Sequence, residues 1–216
     1  MPLLSLSAQQ QLAESLMHIG AIMVSADAPF TFSSGIRSPI YCDLRMTMAH
    51  PRLREVVVEA FAQLLVDHKP DAIVGTATAG IAHAAWLSQH LQLPMAYVRS
   101  KPKAHGRQQA IEGDLKAGQS VVLIEDLIST GGSVIEAACA LKAAKIHVEA
   151  VMSIFSYGMT SAQAHFEAQG HQPQSLLTLD VLLDLLKASS KIDDQALTSI
   201  RAWQRDPLSW MSGDNE

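Results

Sequence analysis

Cysteine is scarce: only Cys42 and Cys139 occur in 216 residues, without metal-ligand spacing. That excludes a disulfide framework or a cysteine-built zinc site, and both read as reduced thiols of a cytoplasmic protein. Basic residues are also few. The net charge of −5 argues against a broad nucleic-acid face, so anion binding has to come from a local cluster of cations. No stretch approaches the roughly 18 apolar residues of a membrane span. The opening MPLLSLSAQQQLAESL lacks the basic leader and sustained apolar core of a secretory signal. Repeats, low-complexity tracts and long linkers are missing too. The expectation is one domain over residues 1–216, with no nucleic-acid or membrane partner.

What is present is a globular composition, 48% apolar and 17% charged. Ser7 with Gln10 resembles a capping box, and Leu12, Leu16 and Ile19 follow at helical spacing until Gly20. Residues 30–45 mix Ser, Gly and Pro with short β-type runs, which predicts a hairpin-like hood within about 20–48. Pro51 opens a helix expected to reach about His68. Strands are then predicted at 71–76, 95–99, 120–126, 147–155 and 175–179, with helices near 80–91, 131–145, 160–169 and 180–188. The tail from Asp193 to Trp210 reads as one more helix and a surface end. Nearly unbroken apolar strands between amphipathic helices indicate an α/β fold, a central mostly parallel twisted sheet flanked by helices. Such a sheet binds ligands at the carboxyl ends of its strands.

Three strand ends carry the chemistry. The strand ending at Ile124 runs into Glu125 and Asp126, then Leu127, Ile128, Ser129, Thr130, Gly131, Gly132 and Ser133. Small residues at a helix start present amides and hydroxyls to a phosphate, while the acidic pair faces a polyhydroxy group or a metal. Without a ligand the same residues would be only a strand end and a helix cap. A second small-residue turn, GTATAG, spans Gly75, Thr76, Ala77, Thr78, Ala79 and Gly80. Ile81 and Ala82 stand where a Walker A loop needs Lys and Ser/Thr, so that mechanism is rejected and an anion turn remains. The third feature is the loop 99–113, which gathers Arg99, Lys101, Lys103, His105 and Arg107 around Pro102 and Gly106. A loop of this kind can bring cations to a polyphosphate and exclude water.

Together, VVLIEDLISTGGS, FTFSSGIRSPIYCD and VRSKPKAHGRQQAIEG resemble the type I phosphoribosyltransferases, and within them the orotate branch, over roughly residues 7–210. The resemblance implies transfer of ribose 5-phosphate from phosphoribosyl pyrophosphate to orotate, giving orotidine 5′-monophosphate and pyrophosphate in pyrimidine synthesis. It implies Mg²⁺, brought with phosphoribosyl pyrophosphate and not held by a dedicated protein site. It also implies a homodimer in which loop 99–113 reaches the neighbouring site. By the same resemblance Thr130, Gly131, Gly132 and Ser133 hold the 5-phosphate beside Leu127 and Ile128. Glu125 and Asp126 face the ribose hydroxyls, with Asp126 also counted as catalytic, and Ser129 lies near orotate. Thr76, Ala77, Thr78 and Ala79 contact pyrophosphate, joined by Arg99, Lys103 and His105, with Lys103 and His105 as catalytic groups.

The chain departs from some members of that branch. Ala79 stands where they carry a lysine in the pyrophosphate turn, and a later strand-end arginine directed at orotate is missing from SIFSYGMTSA. Arg37 is the candidate replacement on the orotate side. Two alternatives stay open at this point: transfer to another base, and a non-catalytic regulator that senses phosphoribosyl pyrophosphate. Methionines 46, 48 and 152 are expected to fill core gaps, and Trp203 and Trp210 to anchor the tail.

Overall fold

The computed structural model describes residues 4–31, 37–100 and 110–211. Helix α1 (Leu6–His18) starts where the Ser5 hydroxyl accepts a hydrogen bond from the Ala8 amide, so the cap is Ser5 and not Ser7. Leu12 and Leu16 are buried as expected, and Gly20 ends the helix with φ +74°. The hood follows as β1 (Ile22–Val24), β2 (Phe30–Thr31), β3 (Arg37–Ser38) and β4 (Ile40–Cys42). β1 pairs antiparallel with β4, and β2 with β3. β1 lies upstream of the 30–45 segment, because three apolar residues are too short a run to show a period. A 3-10 helix over Leu44–Ala49, capped by Asp43, leads into α2 (Pro51–Leu64). Met46 in that turn is 38% exposed and fills no core gap, whereas Met152 is fully buried.

The chain then alternates: β5 (Ala72–Thr76), α3 (Ala79–Leu91), β6 (Met95–Val98), β7 (Ile111–Glu112), β8 (Ser120–Ile128), α4 (Gly132–Ala143), β9 (His147–Ser156), α5 (Thr160–Ala168), β10 (Gln174–Thr178), α6 (Leu179–Ala188) and α7 (Asp194–Arg205). β7 falls inside the stretch that reads as loop 99–113, where Ile111 and Glu112 pair antiparallel with Val98 and Tyr97. The main sheet has the order β10-β9-β8-β5-β6-β7, parallel except at the β6–β7 edge. Covered on both faces, its centre is apolar without alternation, with Ile73, Val74 and Val121 through Ile124 fully buried.

Topology places the functional crevice. From the centre, β5 crosses through α3 to β6 on one side, and β8 crosses through α4 to β9 on the other. Right-handed crossovers in opposite directions set α3 and α4 on opposite faces. The gap between the carboxyl ends of β5 and β8 is therefore the switch point where an open sheet takes its ligand.

The tail closes the structure from behind. Trp203 on α7 is 1% exposed and meets Tyr157 edge-on at 5.3 Å, and the Gln204 side chain donates to the Tyr157 carbonyl at 2.8 Å. The helix expected in the tail is present, and Trp203 anchors it as expected. Among the described residues no helix is long and apolar enough to cross a membrane.

α3 also buries a histidine. His83 is fully buried, edge-on to Trp86 at 5.3 Å, with Nε2 3.5 Å from the Thr47 hydroxyl. Burial pushes its pKa down to about 4, against a weak opposing pull from the Asp126 charge. A folded-state value below the unfolded value means a contribution present above about pH 6.5 and lost as pH falls through 4. The protein is therefore expected to lose about 3 kcal/mol through this group on full acidification. Thermal melts of wild type and His83→Phe between pH 7 and 4.5 check this, with the steeper fall in Tm expected for wild type.

Candidate active site

β8 carries four fully buried apolar residues, Val121 to Ile124, straight into Glu125, which is 6% exposed. Its Oε1 accepts the Asp126 amide at 3.1 Å and its Oε2 accepts the Ser133 hydroxyl at 3.1 Å. Burial, reinforced by the neighbouring Asp126 charge, holds the Glu125 carboxyl above the usual carboxylate range. Asp126 is half-buried and faces the cavity at the switch point. β8 continues to Ile128 because Leu127 and Ile128 still pair with Phe155 and Ser156 of β9. Ile128 is 1% exposed, so its side chain belongs to the core and only its backbone is available to a ligand.

The phosphate-type loop has the geometry its small residues suggest. Gly131 has φ +80° and caps α4, and a Cβ there would lie 2.7 Å from the Phe166 ring. The first helical bond runs from the Ile135 amide to the Gly131 carbonyl at 3.0 Å. The amides of Gly132, Ser133 and Val134 precede it, at the positive end of the α4 dipole. Ser129 is half-buried, while Thr130 and Ser133 are exposed.

The GTATAG turn packs against the same strand. A Cβ on Gly80 would collide with the Ile124 carbonyl, and the Thr76 hydroxyl donates to that carbonyl at 3.2 Å. Small residues here are thus explained by close approach of α3 to β8 as well as by exposed amides. The Ala77 amide donates to the Val98 carbonyl at 2.8 Å, and the Ala77–Thr78 peptide is cis.

Two adjoining cavities open at these strand ends and share Ala77 and Ser133. One, of about 380 Å³, lies between Cys42–Arg45 of the hood, the turn 77–79 and Glu125–Leu127. The other, of about 230 Å³, is bordered by Arg99, Ser100 and Ala110. Arg99 is half-buried and ion-paired with Glu112 at 3.3 Å. The Arg99 amide donates to the Ala110 carbonyl at 2.8 Å, which pins both ends of the basic segment beside the cavity. Lys101, Lys103, His105 and Arg107 lie outside the described residues.

Arg37 sits in β3 and lines neither cavity. The residues that sequence reasoning passed over are Cys42, Asp43 and Arg45 of the hood. Their signal was the Asp-x-Arg directly after SPIYC, where a local ion pair forms: Arg45 Nε and Nη2 donate to Asp43 at 2.7 and 3.0 Å. Cys42 is not a nucleophile, since burial pushes its thiol up to about 12.

Comparison with known proteins agrees with this geometry. Residues 47–164 match the phosphoribosyl transferase domain family. The chain is 47% identical over 208 residues to an orotate phosphoribosyltransferase of Halalkalibacterium halodurans, covering 94% of this chain and 99% of that one. Among solved structures, UMP synthase of Leishmania donovani superposes with a TM-score of 0.76 at 30% identity, covering 91% of this chain and 42% of that longer one. Orotate phosphoribosyltransferase of Aeropyrum pernix superposes with a TM-score of 0.70 at 26% identity, covering 84% of this chain and 99% of the other.

Proposed function

The chain belongs to the orotate phosphoribosyltransferases, and from that membership we propose how its own residues divide the work. The enzyme transfers ribose 5-phosphate from phosphoribosyl pyrophosphate to orotate. The C1–O bond to pyrophosphate breaks and a bond from orotate N1 to C1 forms, yielding orotidine 5′-monophosphate. Orotate supplies the nucleophilic nitrogen, so no protein nucleophile is needed. The observation that carries the assignment of roles is the meeting of Glu125–Asp126, the α4 amino end and the 77–79 turn around one crevice.

In this reading Thr130, Gly131, Gly132 and Ser133 take the 5-phosphate through hydroxyls and helix-start amides, with the backbone of Leu127 and Ile128 leading into them. Glu125 and Asp126 accept the ribose hydroxyls and fix C1 in place. Ser129 borders the base. Thr76 through Ala79 take pyrophosphate through the turn backbone, and Arg99, Lys103 and His105 bring charge to the leaving group as negative charge accumulates there. Lys103 stabilises that charge, and His105 gives it a hydrogen bond or a proton.

Mg²⁺ fits as an ion carried with the substrate. Asp126 is a hard oxygen donor at the cavity, the kind of ligand Mg²⁺ takes. Asp126 would meet the ion together with phosphoribosyl pyrophosphate, and the ion supplies charge neutralisation to the departing pyrophosphate. Residues 1–216 act as one domain with its hood at about 20–48, in a cytoplasmic homodimer whose loop 99–113 serves the neighbouring site.

The test is loss of orotate absorbance on incubation with phosphoribosyl pyrophosphate and Mg²⁺. Turnover of orotate, and none of uracil, adenine or hypoxanthine at matched concentration, is expected. Absence of orotate turnover by the wild type overturns the reading.

A further inference from the structure

We infer that Arg45 of the hood is a pyrophosphate-binding residue, supplying from across the cavity the cation that the 77–79 turn lacks. The inference rests on the reading of that turn given above. Ala77, Thr78 and Ala79 offer backbone and one hydroxyl but no charge, although a diphosphate is the most highly charged part of the substrate. The 380 Å³ cavity is lined by Arg45 together with this turn and Asp126, and Arg45 is the only lysine or arginine among the described residues lining it.

The ion pair with Asp43 prepares the guanidinium and does not consume it. Asp43 takes Nε–H and one Nη2–H at 2.7 and 3.0 Å, a side-on grip that uses two of the five donors. The end-on edge, both Nη1–H and the second Nη2–H, is left for another anion. That edge matches two phosphate oxygens bidentately.

Asp43 is itself held. Its amide donates to the Ala21 carbonyl at 2.8 Å, and its Oδ1 accepts the Arg45 amide at 3.3 Å. The arginine therefore stands on a braced turn. Its side chain is 65% exposed, so pairing with Asp43 adds little to stability, and a purely structural role would leave little to lose. Arg99, the other described cation near the turn, lies in the neighbouring cavity and is paired with Glu112.

The experiment titrates phosphoribosyl pyrophosphate with Mg²⁺, and separately inorganic pyrophosphate with Mg²⁺, into wild type, Arg45→Gln, Arg45→Lys and Arg37→Gln by calorimetry. It is paired with forward and reverse steady-state kinetics and thermal melts. For Arg45→Gln, both dissociation constants and the KM for pyrophosphate are expected to rise about 10- to 100-fold, the size of a lost charge-assisted pair. KM for orotate should stay within about two-fold and Tm should be unchanged, and Arg45→Lys should recover part of the loss. Arg37→Gln should leave pyrophosphate binding as in wild type.

Unchanged diphosphate binding in Arg45→Gln overturns the inference. So does a change confined to orotate, or a loss that tracks a fall in Tm. If the wild type fails to turn over orotate, the functional reading falls, while the calorimetry still decides the role of Arg45.

Discussion

Lys103→Ala is expected to lower kcat by about 10³-fold, with the KM for both substrates changed by much less. The reaction places positive charge on the ribose C1 and negative charge on pyrophosphate at the same moment. A cation that approaches the leaving group as the bond breaks acts on the transition state more than on the ground state. Removing one preorganised group of that kind costs about 10²–10³ in kcat. Lys103 lies in a segment whose ends, Arg99 and Ala110, are tied together at the rim of the smaller cavity. If the loop of one subunit serves the site of the other, Lys103→Ala and Asp126→Asn should complement each other. In randomly mixed dimers half the molecules are mixed, and each has one site free of both lesions. Mixing two nearly inactive variants should then restore about one quarter of wild-type activity. Single-turnover kinetics give the first number, and activity after denaturing and refolding the mixture gives the second. No restoration would place the loop in its own subunit's site.

How far the sequence could be read follows from the range of the interactions involved. The central strands were legible because a sheet covered on both faces leaves uninterrupted apolar runs such as Val121 to Ile124. The crevice was legible because Glu-Asp followed by Ser-Thr-Gly-Gly-Ser puts carboxylates and helix-start amides on one strand end. β7 was not, since Ile111 and Glu112 become a strand only by pairing with Val98 and Tyr97 across the intervening loop. The extension of β8 to Ile128 depends in the same way on β9. The Ser5 cap lost out to Ser7 because both are serines near a helix start, and only the Ala8 amide distinguishes them. Arg45 escaped for a related reason. Its local partner Asp43 makes it look satisfied along the chain, and its place in one cavity with the 77–79 turn depends on the 44–49 turn packing on α3 and β8. Arg37 was a candidate for the orotate side, whereas the residue that lines the cavity with the 77–79 turn is Arg45.

The second large effect concerns Glu125, where stability and activity are expected to move in opposite directions. Burial raises its pKa in the folded protein. A carboxyl raised in this way contributes stability that is complete below the unfolded value and lost as pH rises through the folded one. Without substrate, wild type should therefore weaken between about pH 4.5 and 8 through this group, whereas Glu125→Gln should not. The variant keeps the oxygen that can accept from Ser133 or from the Asp126 amide, at 3.1 Å in each case. It should be more stable at pH 8 by roughly 1–3 kcal/mol, the cost of an uncompensated buried charge. The same change removes the charge that grips the ribose hydroxyls, so kcat/KM for phosphoribosyl pyrophosphate should fall by about 10²-fold. Binding of that substrate to wild type should also release protons near neutral pH, because ribose hydroxyls favour the ionised carboxylate. Melts at pH 6 and 8, kinetics at pH 8, and calorimetry in buffers of different ionisation enthalpy measure all three. A variant that is no more stable and no less active would show that Glu125 is a packed strand end and not part of the ribose site.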